Sequence, residues 1–318
     1  MKTIISTATN PHFNLAWEEY IFKHVICDED ILLLWRNEPS VIVGRNQTIF
    51  GEVNVDFCNE NHIPIIRRIS GGGTVYHDLG NLNFSVMTSH YKDVLSNYPY
   101  FTKPIIDFLK ELGVDATFSG KSDIVISNQK ISGNAQIYHQ KRMLHHGTIL
   151  FSSDLEKLNQ VLKKPSKDIE TMAVPSNRSH VTTVRSQLKY PLSFDEFREK
   201  LHHFWLKDHL NIHNTITLTE DDFKKIESIR LNKYQSWTWN YGEAPAFEII
   251  KNNEQFSIRV KIHDGIVTHL EYTNGIAQWD LNQFNGIRFD KTNFSQIFDT
   301  LEDQLKSIIE PFKDTLFQ

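Results

Sequence analysis

Between residues 31 and 88 the chain packs five short β-rich runs, at 31–35, 40–43, 63–67, 74–77 and 82–88, with Gly, Asn and Pro between them. Runs of this length and punctuation read as strands joined by turns. Their spacing suits antiparallel strands, because a parallel crossover needs about a dozen connecting residues or more. Ahead of them, after Asn10-Pro11, residues 13–27 place Leu15, Ala16, Tyr20, Ile21 and Val25 at helical spacing. Beyond them the pattern predicts a helix over 101–112 and strands over 114–118, 123–127 and 130–138, the last two joined by a hairpin-sized Asn128-Gln129 step. A further strand is expected at 143–151 and a helix at 154–162.

The stretch 163–191 is polar, holds three prolines and shows no period. It reads as a long, mobile loop, which in a compact domain is usually functional. Ser193-Phe194-Asp195-Glu196 is a capping-box pattern for a helix to about 210, and Thr219 opens another to about 234. From 247 onward the pattern becomes hairpin-like, with turns at Asn252-Asn253 and Asp264-Gly265, and ends in a helix near 294–309. A boundary near 245 therefore separates a domain of residues 1–245 from one of 246–318. Strands and helices are interspersed without the βαβ alternation of a doubly wound sheet. The expected class is α+β: a mixed, largely antiparallel sheet flanked by helices, with a small α+β C-terminal domain.

Charge narrows the partners. With 34 Lys and Arg against 39 Asp and Glu the chain carries a formal charge of −5, which excludes a strongly basic nucleic-acid binder. The acidity is concentrated after 246, where 7 basic side chains face 11 acidic ones. Residues 117–150 run the other way, with Lys121, Lys130, Lys141 and Arg142 against Asp123 alone. No run of 18 apolar residues occurs and the N-terminus lacks the hydrophobic block of a signal peptide, so a soluble cytoplasmic protein with no membrane partner is expected. Cys27 and Cys58 sit in stretches that read as helices without a CxxC partner. They are expected to be core thiols, outside any disulfide framework or zinc site.

The densest chemical feature runs from Arg67 to Asn81, Arg-Arg-Ile-Ser-Gly-Gly-Gly-Thr-Val-Tyr-His-Asp-Leu-Gly-Asn. Three consecutive glycines between strands expose backbone N–H groups without obstructing side chains, which is how phosphates and carboxylates are cradled. Arg67 and Arg68 enter that loop, and a planar guanidinium suits an oxyanion. Two better-known phosphate loops fail: Tyr76 stands where a Rossmann fingerprint needs glycine, and Asp115 where a P-loop ending at Gly120-Lys121-Ser122 needs one. A second cluster spans Lys121 to Gln136, where Lys130 opens a strand that soon carries Ser132-Gly133-Asn134, small and polar residues in place of branched apolar ones. Something polar approaches there, and a hairpin sets Asp123 near the Lys130 strand. Of the fifteen histidines, His145 and His146 are adjacent and face opposite sides of a strand, whereas His209 and His213 lack the glutamate that a zinc-protease helix needs. No Gly-x-Ser-x-Gly elbow is present to anchor a serine hydrolase.

Taken together, Arg67 to Asn81, Lys121-Ser122-Asp123, Lys130 to Ala135, His145-His146-Gly147-Thr148 and Trp237 to Phe247 occur in the order and spacing of lipoate-protein ligases, and the chain resembles that family over essentially its whole length. The resemblance implies the fold shared with biotin protein ligases and class II aminoacyl-tRNA synthetases. It implies a two-step reaction: lipoate and ATP give lipoyl-adenylate and pyrophosphate, and the ε-amine of a lysine on an acceptor domain then attacks the acyl carbonyl. Lys130 aligns with the family's invariant lysine and would contact both carboxylate and α-phosphate. Arg68 and the backbone of Gly73, Thr74, Val75 and Tyr76 would hold the nucleotide. Ser70, Gly72 and His77 would line the same pocket, Ala135 and His146 would complete the substrate-binding set, and Asp123 would position magnesium or the incoming amine. Residues near Trp35 and 41–43 would line a tunnel for the lipoyl tail. The implied partners are lipoate or octanoate, ATP with Mg2+, and apo lipoyl domains of 2-oxoacid dehydrogenase E2 subunits and the glycine cleavage H protein. A monomer with no resident prosthetic group is implied. Two rival readings are an ATP-independent octanoyl or lipoyl transferase, which would need a cysteine nucleophile, and a non-catalytic lipoyl-domain or nucleotide binder.

Overall fold

The computed structural model describes residues 1–120, 122–163, 168–176, 179–207, 215–313 and 315–317, with the side chain of residue 93 left aside. Its largest sheet has seven strands in the spatial order β1 (Lys2–Ile5), β2 (Ile31–Trp35), β6 (Asn81–Thr88), β10 (Arg142–Leu150), β9 (Gln129–His139), β8 (Asp123–Ile126) and β7 (Ala116–Ser119). Only the β1–β2 pair of this sheet is parallel. A three-stranded sheet runs β4 (Ile65–Arg67), β3 (Ser40–Val43), β5 (Val75–His77), with β3–β4 parallel and β3–β5 antiparallel. The third sheet is wholly antiparallel and ordered β11 (Ile169–Thr171), β12 (Phe247–Asn252), β13 (Ser257–His263), β14 (Ile266–Thr273), β15 (Gln278–Asp280). The mixed, largely antiparallel α+β class expected from strand spacing is the one observed.

Alternation along β2 shows how the main sheet is covered. Leu32 and Leu34 join Phe84, Phe101, Phe108, Phe197 and Leu201 in one apolar cluster, under the helices Tyr98–Glu111 and Phe194–Leu206. Ile31, Leu33 and Trp35 point the other way, onto Leu15, Ile21, Ile42 and Ile66 from the helix Pro11–His24 and the three-stranded sheet. Successive strand residues face opposite sides, so a strand covered on both faces reads as a continuous apolar run. On the second face, cross-strand pairing aligns Leu33 with Ser85 and Ser85 with His146. These polar residues interrupt an otherwise apolar layer, and the cavity described below opens there.

Several boundaries move. The first helix is Pro11–His24, begun by a proline at its first position and capped by the Asn10 side chain, so Cys27 lies beyond it and is half-buried, while Cys58 is buried in the helix Val55–Glu60. The helix around Cys58 is thus the one the sequence suggests, whereas the short helix Ile49–Glu52 and β1 carry too few periodic residues to be seen in the sequence. The β8–β9 turn is Ser127-Asn128, both at positive φ (48° and 64°), one residue earlier than expected. Ser193 and Thr219 do make capping boxes. The helix from Ser193 ends at Leu206, and the one from Thr219 passes at Arg230–Tyr234 into a wider π turn. The single terminal helix is two, Lys291–Asp299 and Asp303–Lys313.

The stretch 163–191 is not simply a loop. Part of it is the edge strand β11, paired with β12 through Ile169↔Ile249 and Thr171↔Phe247, so the C-terminal sheet takes a strand from well before residue 245. Further on, Lys130 N–H donates to the His180 carbonyl (2.7 Å) and Thr182 N–H to the Lys130 carbonyl (3.0 Å), which lays 180–182 alongside the Lys130 strand. Among the described residues no helix is long and apolar enough to cross a membrane.

Candidate active site

Lys130 gets its position from an irregularity in β9. Asp123 pairs with Gly133 and Ile124 with Ser132, but Val125 pairs with Lys130, so the register shifts by one residue. In a regular strand residues three apart face opposite sides; the bulge restores Lys130 to the side of Gly133 and Asp123. Its Nζ lies 3.0 Å from Asp123 Oδ1. The small polar Ser132-Gly133-Asn134 run is explained here: Gly133 lies directly under the lysine, where an added Cβ would come within 3.0 Å of Lys130 Cε and Nζ.

This pair sits on the wall of a cavity of about 720 Å³. Of the expected site residues, Arg68, Gly72, Gly73, Thr74, Val75, His77, Asp123, Lys130, Ala135 and His146 line it. At one end it is apolar, with Leu15, Trp35 and Ile42. A smaller cavity of about 120 Å³ adjoins, lined by Tyr76, Leu150, Leu158, Leu162 and Val181, and Lys130, Gly133, Thr74, Val75 and Thr148 border both. Val41 and Val43 belong to the packed core, so of the proposed tunnel residues Trp35 and Ile42 alone reach the cavity.

Arg68 is buried and stretched across the glycine loop. Its guanidinium donates to Ser70 Oγ (3.0 Å) and to the carbonyls of Ile42 (3.1 Å), Gly71 (2.6 Å) and Gly73 (2.8 Å). Burial lowers its pKa to about 10, which leaves it cationic at neutral pH. Gly72 adopts φ +87°, and Gly44 passes so near that a Cβ on it would lie 2.0 Å from the Gly72 carbonyl oxygen. Thr74 N–H, expected to face a nucleotide, donates here to Ser176 Oγ (2.9 Å), while the Gln47 side chain ties Gly44, Thr74 and Ser176 together. The 163–191 segment thus reaches the glycine loop.

Arg67 does not converge on this cavity. Consecutive residues of extended chain point to opposite sides, and Arg67 turns away to donate to the carbonyls of Gly44, Gln47, Trp239 and Asn240. It fastens the turn at 238–242 to the loop at 44–47. Tyr76 likewise faces away from the large cavity, into the core with Val41 and Cys58 and toward the smaller one. Lys121 lies outside the described residues, as do His209 and His213. His145 stacks on Phe101 at 4.5 Å on the opposite sheet face from His146.

A buried network was missed in the sequence. Glu18, 1 % exposed, receives a hydrogen bond from Ser85 Oγ (2.5 Å), and its Oε1 lies 2.9 Å from His146 Nδ1. His146 Nε2 is 2.6 Å from Ser70 Oγ, which accepts from Arg68. The available signal was Glu18-Glu19 set inside Leu15-Ala16-Trp17 and Tyr20-Ile21-Phe22: a carboxylate inside so apolar a helix needs buried partners.

Residues 10–204 match the lipoyl protein ligase A/B catalytic domain. The chain belongs to that family. Over 268 residues it is 40% identical to lipoate-protein ligase LplJ of Bacillus subtilis, covering 84% of this chain and 79% of the relative. A putative lipoate protein ligase from T. acidophilum with bound lipoic acid superposes at a TM-score of 0.65, with 30% identity, 76% of this chain and 99% of that one. A lipoate-protein ligase A bound with ATP gives 0.64, 30%, 76% and 100%. In this ligase family member neither Cys58, in the packed core, nor Cys27, past the first helix, lines the cavity, so a cysteine-based acyl transfer has no nucleophile there.

Proposed function

We propose that this protein activates lipoate with ATP to lipoyl-adenylate and transfers the lipoyl group to a lysine of apo lipoyl domains, those of E2 subunits and the glycine cleavage H protein, acting as a cytoplasmic monomer. One observation carries the reading: the Lys130 ammonium borders both a large cavity with an apolar end and a smaller adjoining one. Two substrates meeting at one cation is what adenylation requires, because carboxylate and triphosphate repel each other and must be held within attack distance.

In this arrangement the acyl tail lies toward Leu15, Trp35 and Ile42 and the adenine toward Tyr76, Leu158 and Val181. The carboxylate oxygen attacks the α-phosphorus, the bond to the pyrophosphate oxygen breaks, and Lys130 neutralises charge that develops between them. In the second step the acceptor amine adds to the acyl carbonyl and AMP leaves. Asp123 keeps Lys130 Nζ oriented at 3.0 Å and offers a carboxylate to the incoming amine. Magnesium suits this donor set as a substrate-borne ion: Asp123 lines the cavity as a lone carboxylate among its described residues, and Mg2+ is commonly held by one or two carboxylates plus substrate phosphates. There it would neutralise phosphate charge. The test is pyrophosphate release with lipoate, ATP and an apo lipoyl domain. ATP-independent acyl transfer from an acylated donor domain would replace this reading with the transferase one.

A further inference from the structure

His77 is 4% exposed, and its hydrogen bonds settle where its proton sits. Asn14 Nδ2 lies 2.9 Å from the Ala8 oxygen and 3.0 Å from the Arg36 oxygen, and since both partners only accept, this atom is the amino group. The same Nδ2 is 2.9 Å from Asn37 Oδ1, which fixes the Asn37 amide so that its Nδ2 points at His77 Nδ1, 3.1 Å away. Asn83 Nδ2 adds a second, longer approach at 3.5 Å, its Oδ1 being turned to Asn81. Flanked by donors, Nδ1 accepts, so the neutral ring carries its hydrogen on Nε2. Burial, with Arg68 and His146 nearby, holds the pKa down at about 3 and the ring neutral.

That Nε2–H is buried and finds no acceptor among the described residues. A buried donor left unpaired is costly, and native structures rarely tolerate one without a use. His77 lines the cavity together with the apolar Leu15, Trp35 and Ile42, and it packs edge-on to Trp35 at 6.1 Å.

We infer that His77, locked as an Nε2–H donor by the Asn14–Asn37 relay, selects acids whose tail carries a hydrogen-bond acceptor, such as a dithiolane sulfur, over plain alkyl acids of the same length. Nε2 is closed off from the cavity, so a tail sulfur satisfies it by displacing the side chains that cover it, whereas a saturated tail leaves the donor orphaned. Asn37 is a positioning residue: it acts only through the tautomer it imposes. The inference rests on the ligase reading, because it presumes an acyl tail in this cavity.

The experiment compares kcat/KM for pyrophosphate release with lipoate and with octanoate, in the wild-type enzyme and in His77→Phe. The wild-type enzyme is expected to prefer lipoate, and His77→Phe to shrink that preference about tenfold, the scale of one unmade hydrogen bond to a buried group. Asn37→Asp offers Nδ1 an acceptor, moves the proton off Nε2, and should shrink the preference in the same direction. Imidazole 15N spectra of the wild-type protein provide a readout that does not depend on either variant folding. They should show a pyridine-like Nδ1 and a protonated Nε2 whose signal shifts with lipoate and not with octanoate. A preference unchanged within twofold in a folded His77→Phe, or a protonated Nδ1 in the wild-type spectrum, overturns the inference while leaving the ligase reading standing. Failure of the wild-type enzyme to release pyrophosphate with either acid overturns both.

Discussion

Lys130 lies over Gly133, and the missing side chain of the glycine is the space through which the ammonium reaches Asp123: a Cβ there would stand 3.0 Å from both Lys130 Cε and Nζ. The obstructed atoms are the far end of a flexible chain, so Gly133→Ala should fold normally and push Nζ aside by a fraction of an ångström. Misplacement on that scale is expensive in a reaction that depends on charge position, and a loss of about 10- to 100-fold in kcat for pyrophosphate release is expected. Thermal unfolding measured beside the kinetics separates this from general damage; a variant with full turnover would mean that the Lys130 position is not critical.

Removing the ammonium itself has a larger expected effect. Lys130 sits on the cavity wall, its side chain about a fifth exposed, and its backbone stays paired to β8 and to 180–182 whatever its side chain. Lys130→Ala should therefore keep the fold and lose about 10³-fold or more in lipoate-dependent pyrophosphate formation, the scale of deleting a preorganised charge stabiliser. Circular dichroism and a pyrophosphate assay on the same preparation check both halves.

Most of this site was legible in the sequence because it gathers residue types that strands and turns ordinarily avoid: three glycines in a row, a lysine opening a strand of small polar residues, an aspartate across the hairpin. What escaped notice depends on direction and distance. Arg67 and Arg68 are equivalent as letters, and only the pleat of β4 shows that one spans the glycine loop while the other ties down the turn at 238–242. Glu18 and Asn37 find their partners 128 and 40 positions away, His146 and His77, which no local pattern records. The strand β11 is three residues long and pairs only with β12, some 80 positions on, so a periodicity search over 163–191 has nothing to detect.

The divergence of the two arginines is testable by contrast. Arg67 donates to carbonyls on both the 44–47 loop and residues 239–240, so Arg67→Leu leaves several buried carbonyls without donors. A loss of about 3–5 kcal/mol in urea unfolding is expected, with the KM for ATP of the surviving folded fraction little changed. Arg68→Leu removes the brace across Gly71 and Gly73 and should raise the KM for both substrates. Equal kinetic defects from the two substitutions would contradict the assignment of Arg67 to structure alone.

Acid should weaken the fold through three rings that the native protein keeps neutral. Burial pushes both His77 and His145 down to about 3 from an ordinary value of 6.5, and burial with Arg230 nearby holds His12 at about 4. The unfolded chain therefore binds a proton at each as pH falls through 6.5, and the native protein does so only near 3 to 4. Their contribution to stability is intact above about pH 6.5 and is lost progressively on acidification, at about 1.4 kcal/mol per pH unit per ring, or about 2 kcal/mol each by pH 5. Urea midpoints at pH 7.5 and pH 5 should differ accordingly. His145→Phe, which keeps an aromatic ring against Phe101, should remove about a third of the difference. Midpoints that coincide at the two pH values would show that these rings protonate in the native state as readily as in the unfolded chain.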